Sequence, residues 1–543
     1  MRIALVLPKH RLWGWHRQLT AHLERRHSVK VFVDDFAAPY RWSLLAWLRT
    51  ELAVYGERPI TLSDPVDHRT WPELDDRDFD LIVNLAERAH PSRKSIAVRY
   101  NGAFDSVALV ERLLARETPL LAVSRDDTGA LLAQSRLAVD DKTRLSRGLQ
   151  LAFSRCISLI ERSLDRSGDE GEIRPSAELP RSSPGLSAHI GRFLLEKASR
   201  LALRGARRTD HWSIALRNGS GPFVPVIDDG KRFYGDPFLF TWQGRTFLFV
   251  EEFPYATQKG VISAAEVKDG RLLDTLVPVL ERPYHLSYPL VLADGDSIYM
   301  LPETGANNTL ELYRAVDVPW KWQLDRVLIE GLPIADATPV FHQRRWWILA
   351  AVAEHGATDH DELFVFYSDR LTGPWRAHRG NPVKSDCRGA RPAGRIIRQG
   401  RRLLRPAQDC EQGYGTGVVW QEILELTPWR FREREIAYWH GPRDLGVAGI
   451  HTFDRIDGLH AIDFKHTIGP WVRRPAELHM QPAASSELDL LAATAGSDPF
   501  PDEGLRPDQE EFAARRTHQT GGVGHSKSDA DRSLSRCATT HGC

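Results

Sequence analysis

The sequence predicts two folds in tandem, an α/β Rossmann-like domain at the N-terminus and then an all-β five-bladed β-propeller. Three observations predict them. Apolar strand-like runs alternate with helical stretches over residues 1–165. After about residue 209 a phrase of the form x-Pro-apolar-turn-strand restarts five times. Prolines 237, 289, 339 and 392 are spaced by 52, 50 and 53 residues, the length of one four-stranded blade.

In the first region, Ile3-Ala4-Leu5-Val6-Leu7 is a continuous apolar strand, and Trp13, Leu19 and Leu23 recur at helical spacing before Arg26. Val29 to Val33 and Phe79 to Leu85 give two further strands, so a parallel sheet is expected. Leu120 to Val123 and Ala130 to Ala133 flank Asp127-Thr128-Gly129 as a hairpin, and a helix from about Arg144 to Leu164 closes the domain. Residues 166–187 read as a Ser/Pro/Gly-rich linker. Ile190, Phe193, Leu194, Ala198, Leu201 and Ala202 then line one face of a helix whose other face carries Arg192, Lys197, Arg200 and Arg204. Such a helix packs on a neighbouring domain or lies on a membrane surface. The domains expected are thus 1–165, a linker and amphipathic helix over 166–208, a propeller over 209–475, and a polar, disordered tail over 476–543.

Composition excludes several classes. Lys+Arg and Asp+Glu are each 72 in 543 residues, which argues against an electrostatic nucleic-acid binder. The five cysteines show neither CxxC nor metal-ligand spacing, so no metal and no cofactor are called for. No Gly-rich dinucleotide loop follows the first strand. The first apolar stretch is too short for a signal-peptide core, and no run of 18 apolar residues occurs. A cytoplasmic location is expected, with peripheral membrane contact left open; the oligomeric state is not encoded in any visible way.

The first strand of every propeller blade lines the central channel. The positions just before the repeat prolines are Asp236, Tyr288, Thr338 (with Asp336 two before it) and Arg391, polar points within apolar strands. Glu252, Glu303 and Asp409 end second strands and are expected at the same mouth. Glycosidic chemistry needs one carboxylate as base or nucleophile and one carboxylic acid to protonate the leaving oxygen. Clustered acids divide those roles by pushing each other's pKa apart. The expected catalytic set is Asp236 as base, Asp336 as its electrostatic tuner and Glu303 as general acid. Against it stands the plainer reading that Asp-Pro starts a strand and the acids cap turns. Arg391, Arg405, Gln408, Asp409 and Tyr414, in ARPAG and RPAQDCEQGYG, form a second cluster that either binds hydroxyl or anionic groups or builds an inter-blade salt-bridge belt. Cys410 has no His within its motif, which speaks against a nucleophile. Trp320, Trp322, Trp346 and Trp347 either stack on sugar faces or pack the blades.

The phrases GDPFLF, SYPLV, LPET, LYRA, DATPV, GPWRAH, NPV, ARPAG and RPAQDC-x-x-x-YG occur in this order. Over residues 220–430 the chain resembles the N-terminal domain of plant glucosamine inositolphosphorylceramide transferases and its bacterial relatives. That domain is similar to the five-bladed propeller of glycoside hydrolase family 43. The resemblance implies that Asp236 occupies the first-blade base position and that Asp336 begins the third blade. The acid of those hydrolases is a Glu on a loop, whereas Glu303 ends a strand phrase. In the plant proteins a glycosyltransferase domain follows the propeller. More faintly, Arg99-Tyr100-Asn101-Gly102 and the Asp127-Thr128-Gly129 hairpin resemble the formyltransferase fold, as a degenerate relative. His90 is out of register there, and the Asn expected two residues before it is missing.

Three functions follow as expectations. The first is cleavage or transfer of a glycosyl unit of a surface glycan or glycolipid by the propeller. The second is a glycan-binding module without catalysis, and the third a formyl or acyl transferase acting on an amino sugar.

Overall fold

In the N-terminal domain, β1 (Arg2–Pro8) lies between β2 (Ser28–Asp34) and β4 (Leu81–Asn84), parallel to both. Burial on both faces explains why Ile3 to Leu7 are all apolar. The computed structural model describes residues 1–56, 69–70, 74–165, 185–202, 209–442, 445 and 447–468. Most of the expected linker (166–184) and the expected tail (476–543) lie outside the described residues.

Around β1 the sheet runs β3-β2-β1-β4-β5-β6-β7, with β3 (Arg69–Thr70), β5 (Ser95–Tyr100), β6 (Leu120–Arg125) and β7 (Leu131–Arg136). The first five strands in this order are parallel, but β6 and β7 pair antiparallel, so the sheet is mixed rather than parallel throughout. Helices α1 (Gly14–Glu24), α2 (Trp42–Tyr55), α3 (Val107–Leu114) and α4 (Leu145–Asp165) cover it. The β4-to-β5 crossover is a loop, residues 85–94, where a βαβ unit would carry a helix. These two departures leave only the β1–β4 half with the expected Rossmann-like character.

The degenerate-transferase expectation meets a loop-holding network. The Asn84 amide donates to Arg88 O and to Asp126 Oδ2, both at 2.8 Å, and its Oδ1 accepts from Ala86 N. His90 Nδ1 accepts from Ser92 N at 3.1 Å.

Helix α5 (Leu186–Ala202) packs on this domain. Phe193 meets Trp47 edge to face at 5.2 Å between ring centroids, and Arg192 reaches Leu114 O at 3.2 Å. Leu194, expected on the apolar face, is exposed together with Leu195. Among the described residues no helix is long and apolar enough to cross a membrane.

The propeller opens with β8 (Thr209–Asn218) and β9 (Val224–Pro225). Blade one is β10 (Arg232–Trp242), β11 (Arg245–Pro254), β12 (Val261–Lys268) and β13 (Arg271–Leu272), with β14 (Val277–Leu280) also on β12. Blade two is β15 (Ser287–Asp294), β16 (Ser297–Glu303), β17 (Thr309–Asp317) and β18 (Lys321–Glu330). Blade three is β19 (Ile334–His342), β20 (Arg345–Val352), β21 (Glu362–Ser368) and β22 (Arg376–Ala377), with β23 (Lys384–Ser385) on β21. Blade four is β24 (Arg388–Pro392), β25 (Ile397–Gln399), β26 (Arg402–Asp409), β27 (Gly417–Leu426) and β28 (Phe431–Trp439).

Blade five joins both ends of the propeller. β29 (Phe453–Ile456) and β30 (Leu459–Ile468) come from its C-terminal end, β8 and β9 from its start. β8 and β30 pair over ten residues, from Thr209↔Ile468 to Asn218↔Leu459. Backbone hydrogen bonds thereby close the ring.

The two domains meet through α4 and the hairpin. Arg155, fully buried on α4, is ion-paired with Asp361 and Glu362, and Asp361 Oδ2 accepts from Ala138 N at 2.9 Å. Cys387 N donates to Arg136 O at 2.9 Å.

Candidate active site

A repeated backbone irregularity builds the hub. In blades one to three the innermost strand bulges, placing two residues opposite one on its neighbour: Asp236-Pro237, Tyr288-Pro289 and Asp336-Ala337. The first residue of each pair has a positive φ of 48°, 49° and 51°. A non-glycine residue in this region carries a conformational cost, and three at one repeat position mark a built feature. This corrects the phase read from the prolines. Asp336, not Thr338, is the backbone equivalent of Asp236, because blade three has Ala337 where the others have proline. In blade four, Arg388↔Asp409 and Pro392↔Ala407 leave three residues opposite one. Gly389 takes the positive φ there, and Arg391 is the last of the three residues in the irregularity.

The bulges aim polar groups into one network. Asp236 Oδ2 accepts from Tyr288 N at 3.1 Å; Oδ1 accepts from Thr452 Oγ1 at 2.6 Å and lies 3.2 Å from His451 Nε2. His451 Nδ1 is 2.9 Å from Asp463 Oδ2, and Asp463 also accepts from the backbone N–H groups of Asp236, His451 and Thr452. Across the hub, Asp336 Oδ2 accepts from Arg391 Nε at 2.6 Å and Gln408 Nε2 at 2.9 Å. Arg391 also reaches Asp359 Oδ2 at 2.7 Å and Glu303 Oε2 at 3.9 Å. The Asp336 N–H donates to Glu303 Oε2 at 3.2 Å.

This arrangement separates the acids by charge state. Burial alone would raise Asp236, but the His451 imidazolium and its hydrogen bonds hold it below the ordinary carboxylate range. Burial, and then the charge of Asp336, pushes Glu303 well above that range despite Arg391. Burial and the Asp236 charge do the same to Glu251. Asp336 is raised by burial, against the pull of Arg391. His451 loses to burial but gains more from Asp463 and Asp236, and rises to about 10. The surroundings therefore favour the ionised form of Asp236 and the protonated forms of Glu303 and Glu251. Asp236, His451 and Asp463 also offer three ligand atoms within 4.8 Å of one another. An imidazolium with one ring nitrogen facing each carboxylate already answers that geometry.

The structure brings Asp236, Glu303, Asp336, Arg391 and Gln408 together, with Tyr414 beneath Arg391 at 5.0 Å from its ring centroid. Tyr288 is fully buried, its hydroxyl tied to Thr338 Oγ1 at 2.8 Å and Gly394 N at 2.7 Å, so it braces the hub. Three expected members lie elsewhere. Glu252 pairs with Arg232 and Ser263, because strand alternation turns its neighbour Glu251 toward the hub instead. Arg405 is fully buried inside blade four, holding Gly389 O at 2.6 Å and Glu433 at 2.8 Å. Asp409 accepts from Glu411 N at 2.9 Å, capping its own turn.

Trp322, Trp346 and Trp347 pack inside blades. Burial pushes the Cys410 thiol up to about 12, against a nucleophilic role.

Five hub residues escaped the sequence reading: Glu251, Asp359, His360, His451 and Asp463. His451 was visible within the fifth repeat, and its place two residues before Phe453 was the available signal. Asp359 and His360 come from the loop between β20 and β21, residues 353–361, longer than its counterparts at 255–260, 304–308 and 410–416. His360 stacks on Tyr414 at 5.2 Å, and Trp212 meets His451 at 4.1 Å, both between ring centroids.

A polar cavity of about 400 Å³ lies away from the hub, between Arg136 and blade four. Its charged lining is paired, as in Lys384–Glu433 and Arg388–Glu435.

Residues 217–447 match the family described as glucosamine inositolphosphorylceramide transferase 1, N-terminal. The chain is 38% identical over 207 residues to glucosamine inositolphosphorylceramide transferase 1 of Oryza sativa subsp. japonica, covering 37% of this chain and 28% of that protein. With the Arabidopsis thaliana protein of the same name it shares 34% over 285 residues, 46% of this chain and 37% of the relative. The match thus spans about a third of the length of these relatives. Among solved structures, a thermostable family-43 glycoside hydrolase is similar with a TM-score of 0.33 at 10% identity, covering 43% of this chain and 88% of that one. A family 117 glycoside hydrolase from Zobellia galactanivorans gives 0.33 at 12%, covering 54% and 98%.

Proposed function

We propose that the propeller hub is a carbohydrate-active site that cleaves or transfers a glycosyl unit of a glycan or glycolipid. The observation that carries this reading is the opposite setting of two hub acids: Asp236 is held toward its ionised form by His451 and Thr452, and Glu303 is pushed toward its protonated form by burial and by Asp336. Asp236 takes the proton of an incoming water or acceptor hydroxyl as that oxygen attacks the anomeric carbon. Glu303 gives its proton to the leaving oxygen. Asp336, clamped by Arg391 and Gln408, raises Glu303 by its nearby charge. A carboxylate offers about four lone-pair sites. Tyr288, Thr452 and His451 occupy three on Asp236, which leaves one for the proton in flight. Half-buried Trp212, edge to face with Tyr414, offers an aromatic surface for a sugar.

The similarity to proteins named for glucosamine transfer to inositolphosphorylceramide supports a glycolipid substrate. The test is Glu303→Gln assayed on a panel of paired glycosides. Turnover of unactivated glycosides falls, while that of aryl glycosides, whose leaving group needs no proton, persists. Equal loss on both removes Glu303 as the acid.

A second reading, glycan binding without turnover, draws on the same saturation of Asp236, which suits a rigid acceptor as well as a base. Under that reading Asp236→Asn changes affinity in calorimetry and no product forms with the unsubstituted protein.

A further inference from the structure

Three donor atoms from three separate stretches converge where the N-terminal domain meets blade three. His22 lies in the last turn of α1, Glu161 near the end of α4, and His355 in the loop between β20 and β21. Glu161 divides its carboxylate between the imidazoles: Oε1 contacts His22 Nε2, and Oε2 lies 3.0 Å from His355 Nε2. The donor atoms of all three fall within 4.8 Å of one another, and the two rings meet edge to face at 4.8 Å. His355 has φ 53°, a backbone conformation that a non-glycine residue keeps only where its surroundings hold it.

The chemistry of this set is specific. Zinc bonds of roughly 2.0–2.1 Å in a tetrahedron place donor atoms about 3.3 Å apart, so these three need only small rotations to take up an ion. Two imidazoles and one carboxylate suit zinc-class cations and disfavour calcium and magnesium, which prefer oxygen alone. Side-chain exposures of 26%, 30% and 20% for His22, Glu161 and His355 leave a solvent-facing fourth position for water.

We propose that His22, Glu161 and His355 bind one Zn²⁺ as a clamp between the N-terminal domain and the loop after β20. The consequence reaches the hub. That loop is fixed at its far end by Asp361 on Arg155, and between the two anchors it carries Asp359, on Arg391, and His360, on Tyr414. Metal loading therefore sets where Asp359 and His360 stand. The clamp is independent of the hub chemistry and holds whether or not the hub turns over substrate.

The experiment uses the full chain, stripped with chelator and dialysed, then titrated with Zn²⁺ by calorimetry and with Co²⁺ by visible absorption. One saturable equivalent is expected, with a four-coordinate Co²⁺ spectrum that Zn²⁺ displaces. His22→Ala and His355→Ala, which truncate partly exposed side chains, should each weaken binding by about a hundredfold or more. Their melting temperatures without metal should match the parent, while the rise that Zn²⁺ gives the parent disappears. Absence of a saturable equivalent overturns the proposal. So does unchanged affinity in both variants, which would place the ion at another donor set such as Asp236, His451 and Asp463. X-ray absorption of the Zn²⁺-loaded parent gives a readout without variants: two imidazole ligands support the clamp, and none or one refutes it.

Discussion

His451 stands between Asp236 and Asp463, with Nε2 3.2 Å from the first carboxylate and Nδ1 2.9 Å from the second. One imidazolium thereby ties the first blade to the fifth, beside the place where β8 and β30 close the ring.

That bridge makes stability depend on pH in a definite direction. The folded pKa of His451 is raised to about 10, above an unfolded value near 6.5. A raised pKa means stabilisation that is complete below about pH 6.5 and lost as pH climbs through about 10. His451→Gln should cost about 3–5 kcal/mol at pH 6, since it strands buried carboxylates, and markedly less at pH 10. Urea midpoints of the two proteins at both pH values measure this, and an equal gap at each would refute it.

Asp236→Asn keeps the shape of the side chain but removes its charge. Turnover should fall by about 10²–10⁴-fold, the scale of a general base. In the same variant the His451 pKa, followed by NMR, should fall from about 10, because Asp236 no longer holds its proton. A variant with unaltered turnover would end the base assignment.

Arg391 is buried, with Asp336, Asp359 and Glu303 around it. Arg391→Met should destabilise by about 3–5 kcal/mol through the acids it leaves uncompensated. Low pH should restore part of that loss by protonating them. Denaturant unfolding of both proteins at pH 5 and pH 7 reads the difference, and a loss that is the same at both pH values would contradict this account.

Gly394 has φ 127°, and a Cβ there would sit 1.9 Å from Phe453 O, the backbone of the adjoining blade. Gly394→Ala should cost about 4 kcal/mol or more. Gly458 also has a positive φ (79°) but open space around it, so Gly458→Ala should cost only about 1–2 kcal/mol, the strain of the left-handed backbone. Thermal melts of the two variants compare them directly, and similar losses would show that the inter-blade approach does not matter.

The architecture was legible because its determinants are local. Apolar runs marked β1, the hairpin marked β6 and β7, and a recurring proline phrase marked successive blades; each depends on residues a few positions apart. Asp236, Asp336 and Arg391 were legible because repeat position carries innermost-strand residues to the hub, and Gln408 because it stands in the RPAQDC phrase beside them. Side-chain direction was another matter. Alternation along β11 turns Glu251 rather than Glu252 to the hub, and the bulge in β19 inserts a residue, so Asp336 rather than Thr338 takes the strained position. Protonation was also beyond the sequence. A charge state depends on burial and on partners such as His451, Asp463 and Asp359, which only closure of the ring and folding of the β20–β21 loop bring near. The sequence by itself determined a ring of repeated sheets; the tertiary structure decided which acids meet and which way each is pushed between its charged and neutral forms, because the energies that set this act across space and not along the chain.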